Sequence, residues 1–343
     1  GGSNFVLIPG SSKTLIEGVF AYSKYKIDMI EADGKPRTSN VGGFNGGMTF
    51  TTFSGDNEFK YGFDVLGLST NYEFTNAVDL IIQQTQSTTE LGGFMSFRWN
   101  LGNFVLEPGV RVQYYASLSE LSPEPRLGMK YNLTEWWRVK AAAGMYSQNL
   151  ISANSDRDIV NLFYGFISGP DNLQENFTKQ DGSVEEVKSK LQKANHAIFG
   201  FEFDLNRSVT LNTEGYYKAF TQLTNTNRNK IFPDNSEFSN ISDELKKDYI
   251  IETGNAYGLD FSLKYTSTHL NVWAIYSLSK VNRWDGITEY NPVFDRRHNV
   301  NLVAAYIFGK NLNWEFNARW NLGSGFPFTQ TQGFYEGLNF SSI

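Results

Sequence analysis

The chain contains no cysteine, which excludes disulfides, zinc–thiolate centres and thiol nucleophiles and suits passage through an oxidising compartment. Histidine is nearly as scarce: His196, His269 and His298 are the only three, and none stands in an HExxH or paired-ligand spacing, so the sequence offers no zinc-hydrolase site. No stretch approaches the roughly 18 apolar residues of a membrane helix, although this says nothing against strands, which show a bilayer only alternate residues. Basic charge is not in excess; the formal net charge of −6 argues against a nucleic-acid partner. A phosphate-binding GxxxxGK[ST] loop is missing, and Ser324, between Gly323 and Gly325, opens a loop rather than a nucleophile elbow. No Ser/His/Asp set gathers on one face. The expectation is therefore a protein that is not an enzyme and carries no cofactor. Gly1-Gly2-Ser3 runs straight into mature-looking sequence, as expected after removal of a signal or excision from a longer chain.

What is present is aromatic and alternating. Phe, Trp and Tyr make up 15% of the chain, at a mean hydropathy of only −0.38. From Phe104 to Tyr115, Phe104, Leu106, Pro108, Val110, Val112 and Tyr114 share one face, opposite Val105, Glu107, Gly109, Arg111, Gln113 and Tyr115. The same period of two places Tyr257, Leu259, Phe261, Leu263 and Tyr265 together, then Val300 to Phe308, and Trp314, Phe316, Ala318, Trp320 and Leu322. In Leu91–Trp99, Phe94 is an exception on the polar side; Thr14–Met29 and Leu270–Val281 carry bulky residues on both faces. The pattern yields about thirteen strands. The stretches from Val184 to Leu191 and from Asp243 to Tyr249 read as short loop helices, and the glycines of Gly42–Gly47 as close packing inside the wall.

Three features separate a membrane barrel from a soluble sandwich. Tight turns at Ser54–Asn57, Leu101–Asn103, Leu133–Glu135, Asn206–Ser208, Thr266–Thr268 and Gly309–Asn311 alternate with longer polar connections, including Asn149–Lys193 and Ala219–Ile250. Aromatics cluster beside the tight turns (Phe59, Trp99, Phe104, Tyr131, Trp137, Phe203, Tyr265, Phe308, Trp314) and again at the far strand ends (Tyr114, Tyr217, Tyr257, Trp320), as a pair of membrane girdles would. Ten tilted residues also cover roughly 23 Å, the height of an outer-membrane apolar band. The chain is thus expected to be all-β, a transmembrane up-and-down antiparallel β-barrel in the bacterial cell outer membrane, with outer-membrane lipid around it and no nucleic-acid partner. An odd strand count suggests a partial barrel, since single-chain bacterial barrels close with even numbers.

A family resemblance rests on several runs in order. Glu124-Pro125-Arg126-Leu127-Gly128-Met129-Lys130-Tyr131 resembles the EPR-type strand of TonB-dependent receptors, and Ala141–Leu150 the strand after it. Gly215–Lys218 (GYYK) and then Gly254–Tyr265 are similar to the paired strands after the large mid-barrel loop; Phe294–Gly309 and Trp320–Tyr335 resemble late strands of the bacteroidete branch. The resemblance implies a barrel of about 22 strands closed by a plug. On that view residues 1–343 form a single partial barrel domain, with the plug domain, TonB box and final strands not present in it. It implies a receptor that binds a scarce nutrient with extracellular loops and imports it to the periplasm, coupled to the TonB complex. A structural subunit of an outer-membrane assembly and a passive porin are the alternatives; a surface lipoprotein or other outer-membrane subunits are further candidate partners.

Candidate site residues follow from position. Glu107, Arg111, Glu124, Arg126, Arg138 and Lys140 share the polar face of neighbouring strands, where they either line a substrate path, grip a plug or pair with one another. Tyr115, Tyr146, Phe163 and Tyr164 are candidate ligand contacts on loops. Asp156, Arg157 and Asp158 form a loop charge cluster, open to a ligand or calcium role or to simple bracing of the loop. Metal ligands are expected nowhere. His196 is expected on the inner face, and the Arg296-Arg297-His298 trio to order a loop.

Overall fold

The computed structural model describes residues 1–10, 12–30, 36–75, 79–153, 165–227 and 229–327. The wall is an antiparallel meander. Its strands are β1 (Gly2–Leu7), β2 (Thr14–Ile30), β3 (Pro36–Ser54), β4 (Asn57–Thr75), β5 (Ile81–Leu101), β6 (Phe104–Tyr115), β7 (Glu120–Asn132) and β8 (Trp137–Gln148). Four short strands, β9 (Leu150–Ser152), β10 (Phe166–Ser168), β11 (Asn176–Thr178) and β12 (Val184–Glu186), then form two hairpins off the wall. The meander resumes with β13 (Gln192–Asn206), β14 (Val209–Thr226), β15 (Tyr249–Thr266) and β16 (Leu270–Trp284). After the small β17 (Glu289–Tyr290) it ends in β18 (His298–Phe308) and β19 (Trp314–Gly323). Among the described residues fourteen strands follow one another in the wall, one more than the alternation suggested, and β1 and β19 are not paired with each other.

Register shows why these sequences make this wall. Phe104 pairs with Tyr131, and Arg111 with Glu124, so across β6 and β7 one parity is mainly apolar and the other mainly polar. The outer face carries the lower aromatic belt: Phe97 lies 4.7 Å from Trp99, Phe104 6.4 Å from Tyr131, Trp137 5.9 Å from Phe203, and Phe308 6.4 Å from Trp314 (ring centroids). Tyr265 and the exposed Trp320 share that face. Phe94 faces inward beside Arg111, and in β16 Trp273 turns inward to donate its indole N–H to Ser262 Oγ at 2.8 Å. That is why these two segments blurred the alternation.

Tight links at 55–56 and 102–103 open on Gly55 (φ +60°) and Gly102 (φ +65°), the left-handed backbone that narrow hairpins need. Gly43 has a different reason: a Cβ there would sit 2.3 Å from the Gly67 carbonyl oxygen of the adjacent strand. On the opposite rim, connections 149–191, 227–248 and 285–297 are long, but 116–119 is as short as a turn. The length alternation is therefore incomplete, and strand length makes up the height. β3, β4 and β5 have 19, 19 and 21 residues. At about 3.3 Å per residue and about 45° tilt they rise roughly 45 Å, well past an apolar band of about 25 Å.

Two loop expectations need correction. Val184–Glu186 is not helical; it pairs as a strand with Asn176–Thr178, because a ready hairpin edge satisfies its backbone. The loop expected from Ala219 to Ile250 is narrower, since β14 runs on to Thr226 and β15 starts at Tyr249, leaving 227–248. The short helix α1 (Asp243–Lys246) does lie there. No helix among the described residues is long and apolar enough to cross a membrane.

Candidate functional site

At the loop rim the inner face of the wall becomes a packed core. Tyr72 on β4, Ile82 on β5, Ile151 on β9, Ala153, Ile167 on β10 and Tyr249 on β15 are buried together, with Ile27, Met29, Phe74 and Leu173 against them. The β9–β10 hairpin has folded inward over the strand tops. Its backbone finds partners on inner-facing side chains: Gln84 donates to the Ser168 carbonyl at 2.8 Å, and the Phe166 N–H donates to Ser39 Oγ at 3.0 Å. Asn149 donates to Thr88 Oγ1 at 3.1 Å while accepting from the Gly169 N–H at 2.9 Å. The far side of the hairpin is held by β14 and β15: Thr226 donates to the Ala153 carbonyl at 3.3 Å and Tyr249 packs in the same core, while past the hairpin the Gln174 N–H donates to the Tyr249 carbonyl at 3.0 Å.

Below this lid the inner face is charged and aromatic. Arg126 and His196 both sit opposite Gly144, and His196 opposite Lys218, so three basic residues share one row across β7, β13 and β14. Gly144 leaves the middle of the row open, since a Cβ there would come within 3.1 Å of Arg126 and of Tyr146. The Arg126 guanidinium stands 4.6 Å over the Tyr146 ring, which lies 4.5 Å from the His196 ring. Lys218 stands over Tyr216 at 5.4 Å and makes no ion pair among the described residues. A cavity of about 470 Å³ adjoins it, lined in part by Tyr216, Lys218, Asp260, Phe294 and Arg296.

Nearer the turns runs a chain of ion pairs. Arg138 bridges Asp204 and Glu202, the latter at 3.3 Å, and Lys140 bridges Glu202 at 3.3 Å and Glu214 at 3.1 Å. Arg111 reaches Asp64 at 2.8 Å, and Arg126 reaches Glu124 at 2.8 Å. Five of the six charges expected on the inner face are thus paired within the wall; Glu107 is exposed, with no partner among the described residues. The partners Asp64, Glu202, Asp204 and Glu214, and the row mates His196 and Lys218, were readable from strand parity but needed the register to be brought together.

The expected ligand contacts separate. Tyr146 faces the lumen. Tyr115 is no loop residue: it ends β6, is 2% exposed, and its hydroxyl lies 2.9 Å from Ser147 Oγ. Asp156, Arg157, Asp158, Phe163 and Tyr164 lie outside the described residues. In the basic trio, Arg297 pairs with Asp295 at 3.0 Å, His298 Nδ1 is 2.8 Å from the Tyr276 hydroxyl, and Arg296 covers the Phe326 ring at 3.9 Å. Among the described residues no three His, Asp or Glu side chains are grouped to hold a metal ion.

Comparison with known proteins places this geometry. The FrpB iron transporter from Neisseria meningitidis (F5-1 variant, apoprotein form) superposes with a TM-score of 0.60 at 13% identity, over 93% of this chain and 50% of that one. The ferric citrate transporter FecA in its unliganded form gives 0.56 at 16%, over 94% and 48%. The ferric-catecholate import receptor Fiu from E. coli K12 gives 0.54 at 13%, over 90% and 51%. The chain spans about half the length of these structures, and at such identities the likeness is one of fold. No curated protein matches it in sequence. The model of the TonB dependent receptor-like beta-barrel family, however, matches residues 12–339, nearly the whole chain, and the chain belongs to that family.

Proposed function

We propose that this chain is wall and mouth of a bacterial outer-membrane receptor that captures a scarce nutrient on its extracellular side and passes it to the periplasm, powered through the TonB complex. The observation that supports this best is the inward-folded β9–β10 hairpin above an inner face carrying the Arg126–His196–Lys218 row. A basic and aromatic recess suits an anionic ligand with planar groups: the cations supply long-range attraction, and Tyr146 and Tyr216 offer ring faces. Iron and ferric citrate, named for the structural neighbours, make ferric chelates the first cargo to try. Phe294–Gly309 and Trp320–Tyr335 favour the bacteroidete branch, in which a surface lipoprotein is a partner to look for.

The test is uptake by the native host with the whole gene deleted and then restored, using labelled ferric chelates, cobalamin and oligosaccharides. Loss of uptake of one class on deletion, and its dependence on TonB, is the expected result. Normal uptake of every class, with ion conductance by the purified full-length protein, would replace this reading with that of a pore.

A further inference from the structure

The outer face of the wall is not uniform. Across β13 to β16 it dips into a groove of about 870 Å³ whose exposed lining is mostly apolar. Its floor is Thr213 and Gly215 on β14, and its sides are Phe199 and Phe201 on β13 and Leu259 and Phe261 on β15. Gly215, paired with Phe199 on one side and Leu259 on the other, makes the dip: it has no side chain, and a Cβ there would already lie 3.3 Å from Leu259.

The loop-side end of the groove is polar. Tyr217, Tyr257 and Lys280 lie side by side in register on β14, β15 and β16, one step above Gly215, Leu259 and Leu278. Arg297 lines the same end, its charge matched by Asp295. Lys280 makes no hydrogen bond or ion pair among the described residues, so one uncompensated cation and two phenols stand where the apolar groove stops.

We infer that this groove holds an acyl lipid with a phosphate-bearing, anionic headgroup from the outer leaflet of the membrane. The apolar trough alone would select nothing, because any lipid tail fills it about as well as any other. Selection must come from the headgroup, and the single uncompensated cation at the end of the row of two interfacial tyrosines supplies it. A neutral lipid would leave Lys280 without a counter-charge. Chain and headgroup sites lie along the same strands, so a bound lipid runs parallel to the wall and contacts both.

The inference rests on the membrane-wall reading above, so the full-length protein is first checked for heat-modifiable migration, which reports barrel insertion separately. Native mass spectrometry in neutral detergent then compares retention of a bisphosphorylated lipid A with that of the same lipid dephosphorylated. The expected result is about fivefold preference for the phosphorylated form, lost in Lys280→Gln. Gly215→Leu, which fills the trough, should lower retention of both forms. Equal retention by the unaltered protein, or a preference that survives Lys280→Gln, would mean ordinary boundary lipid and overturn the site. If Lys280→Gln does not insert, undiminished retention by Gly215→Leu overturns it instead.

Discussion

Gln84, on the inner face of β5, donates its side-chain amide to the backbone carbonyl of Ser168 at 2.8 Å and to that of Gly169 at 3.3 Å, while its Oε1 accepts from the Asp171 N–H at 3.3 Å. One buried amide thus serves three backbone groups of the β9–β10 lid. Gln84→Ala should leave two carbonyls poorly satisfied and loosen the lid locally by about 1–3 kcal/mol. Hydrogen exchange over residues 165–171 reports it: faster exchange there with an unchanged wall is expected, and unaltered protection would show that the lid does not depend on this residue.

Ile167 is 1% exposed in the centre of the rim core. Ile167→Ala should cost about 2–5 kcal/mol of lid stability through lost transfer energy and a cavity. Limited proteolysis should then cut within 149–191 sooner, while heat-modifiable migration of the barrel stays as it was. Simultaneous loss of both would show that lid and wall unfold as one unit.

Among the described residues the buried Tyr249 hydroxyl has no hydrogen-bond partner, and burial holds its phenol well above the usual tyrosine range, with Tyr72, Asp248 and Asp171 adding to the rise. The folded lid therefore favours the neutral form. Its stability should be whole below about pH 10, where a free tyrosine ionises, and should fall as pH rises beyond that. Tyr249→Phe should be neutral or stabilising by about 1 kcal/mol and blunt the alkaline loss. Proteolysis of the lid from pH 8 to 11 checks both; loosening by acid instead would contradict the assignment.

Lys218 carries a charge that no described acid matches. Lys218→Gln should weaken binding of an anionic chelate about five- to tenfold. The binding of the unaltered protein should weaken with added salt, and more steeply than that of the variant, because a solvated cation attracts through a screened field. Equal salt slopes would remove Lys218 from the site.

Much of the wall could be read from residues alone, because lipid and lumen impose opposite demands on alternate positions. Trp314, Phe316 and Trp320 against Glu315, Asn317 and Arg319 admit only one arrangement. The rim core was not legible. Tyr72 and Ile82 lie on the same parity as Asp64 and Glu90, so alternation marks them as inner-facing but cannot say that a distant hairpin covers them. Ion partners such as Arg138 and Asp204 shared a legible face, yet their meeting depended on a register that periodicity leaves open. Val184–Glu186 is a strand where its residues suggest a helix, because so few residues of mixed charge carry no period of their own.

The β9–β10 lid draws its contacts from β3, β4 and β5, which precede it in the chain, and from β14 and β15, which follow it. Neighbouring strands can zip together through local hairpins, but the lid cannot settle until segments on both sides of it are in place, and such distant contacts are slow to form. Maturation of this protein should therefore end at its surface: an inserted species with an unfinished mouth is the natural last intermediate, and sequence changes in the lid would delay that step without hindering entry into the membrane.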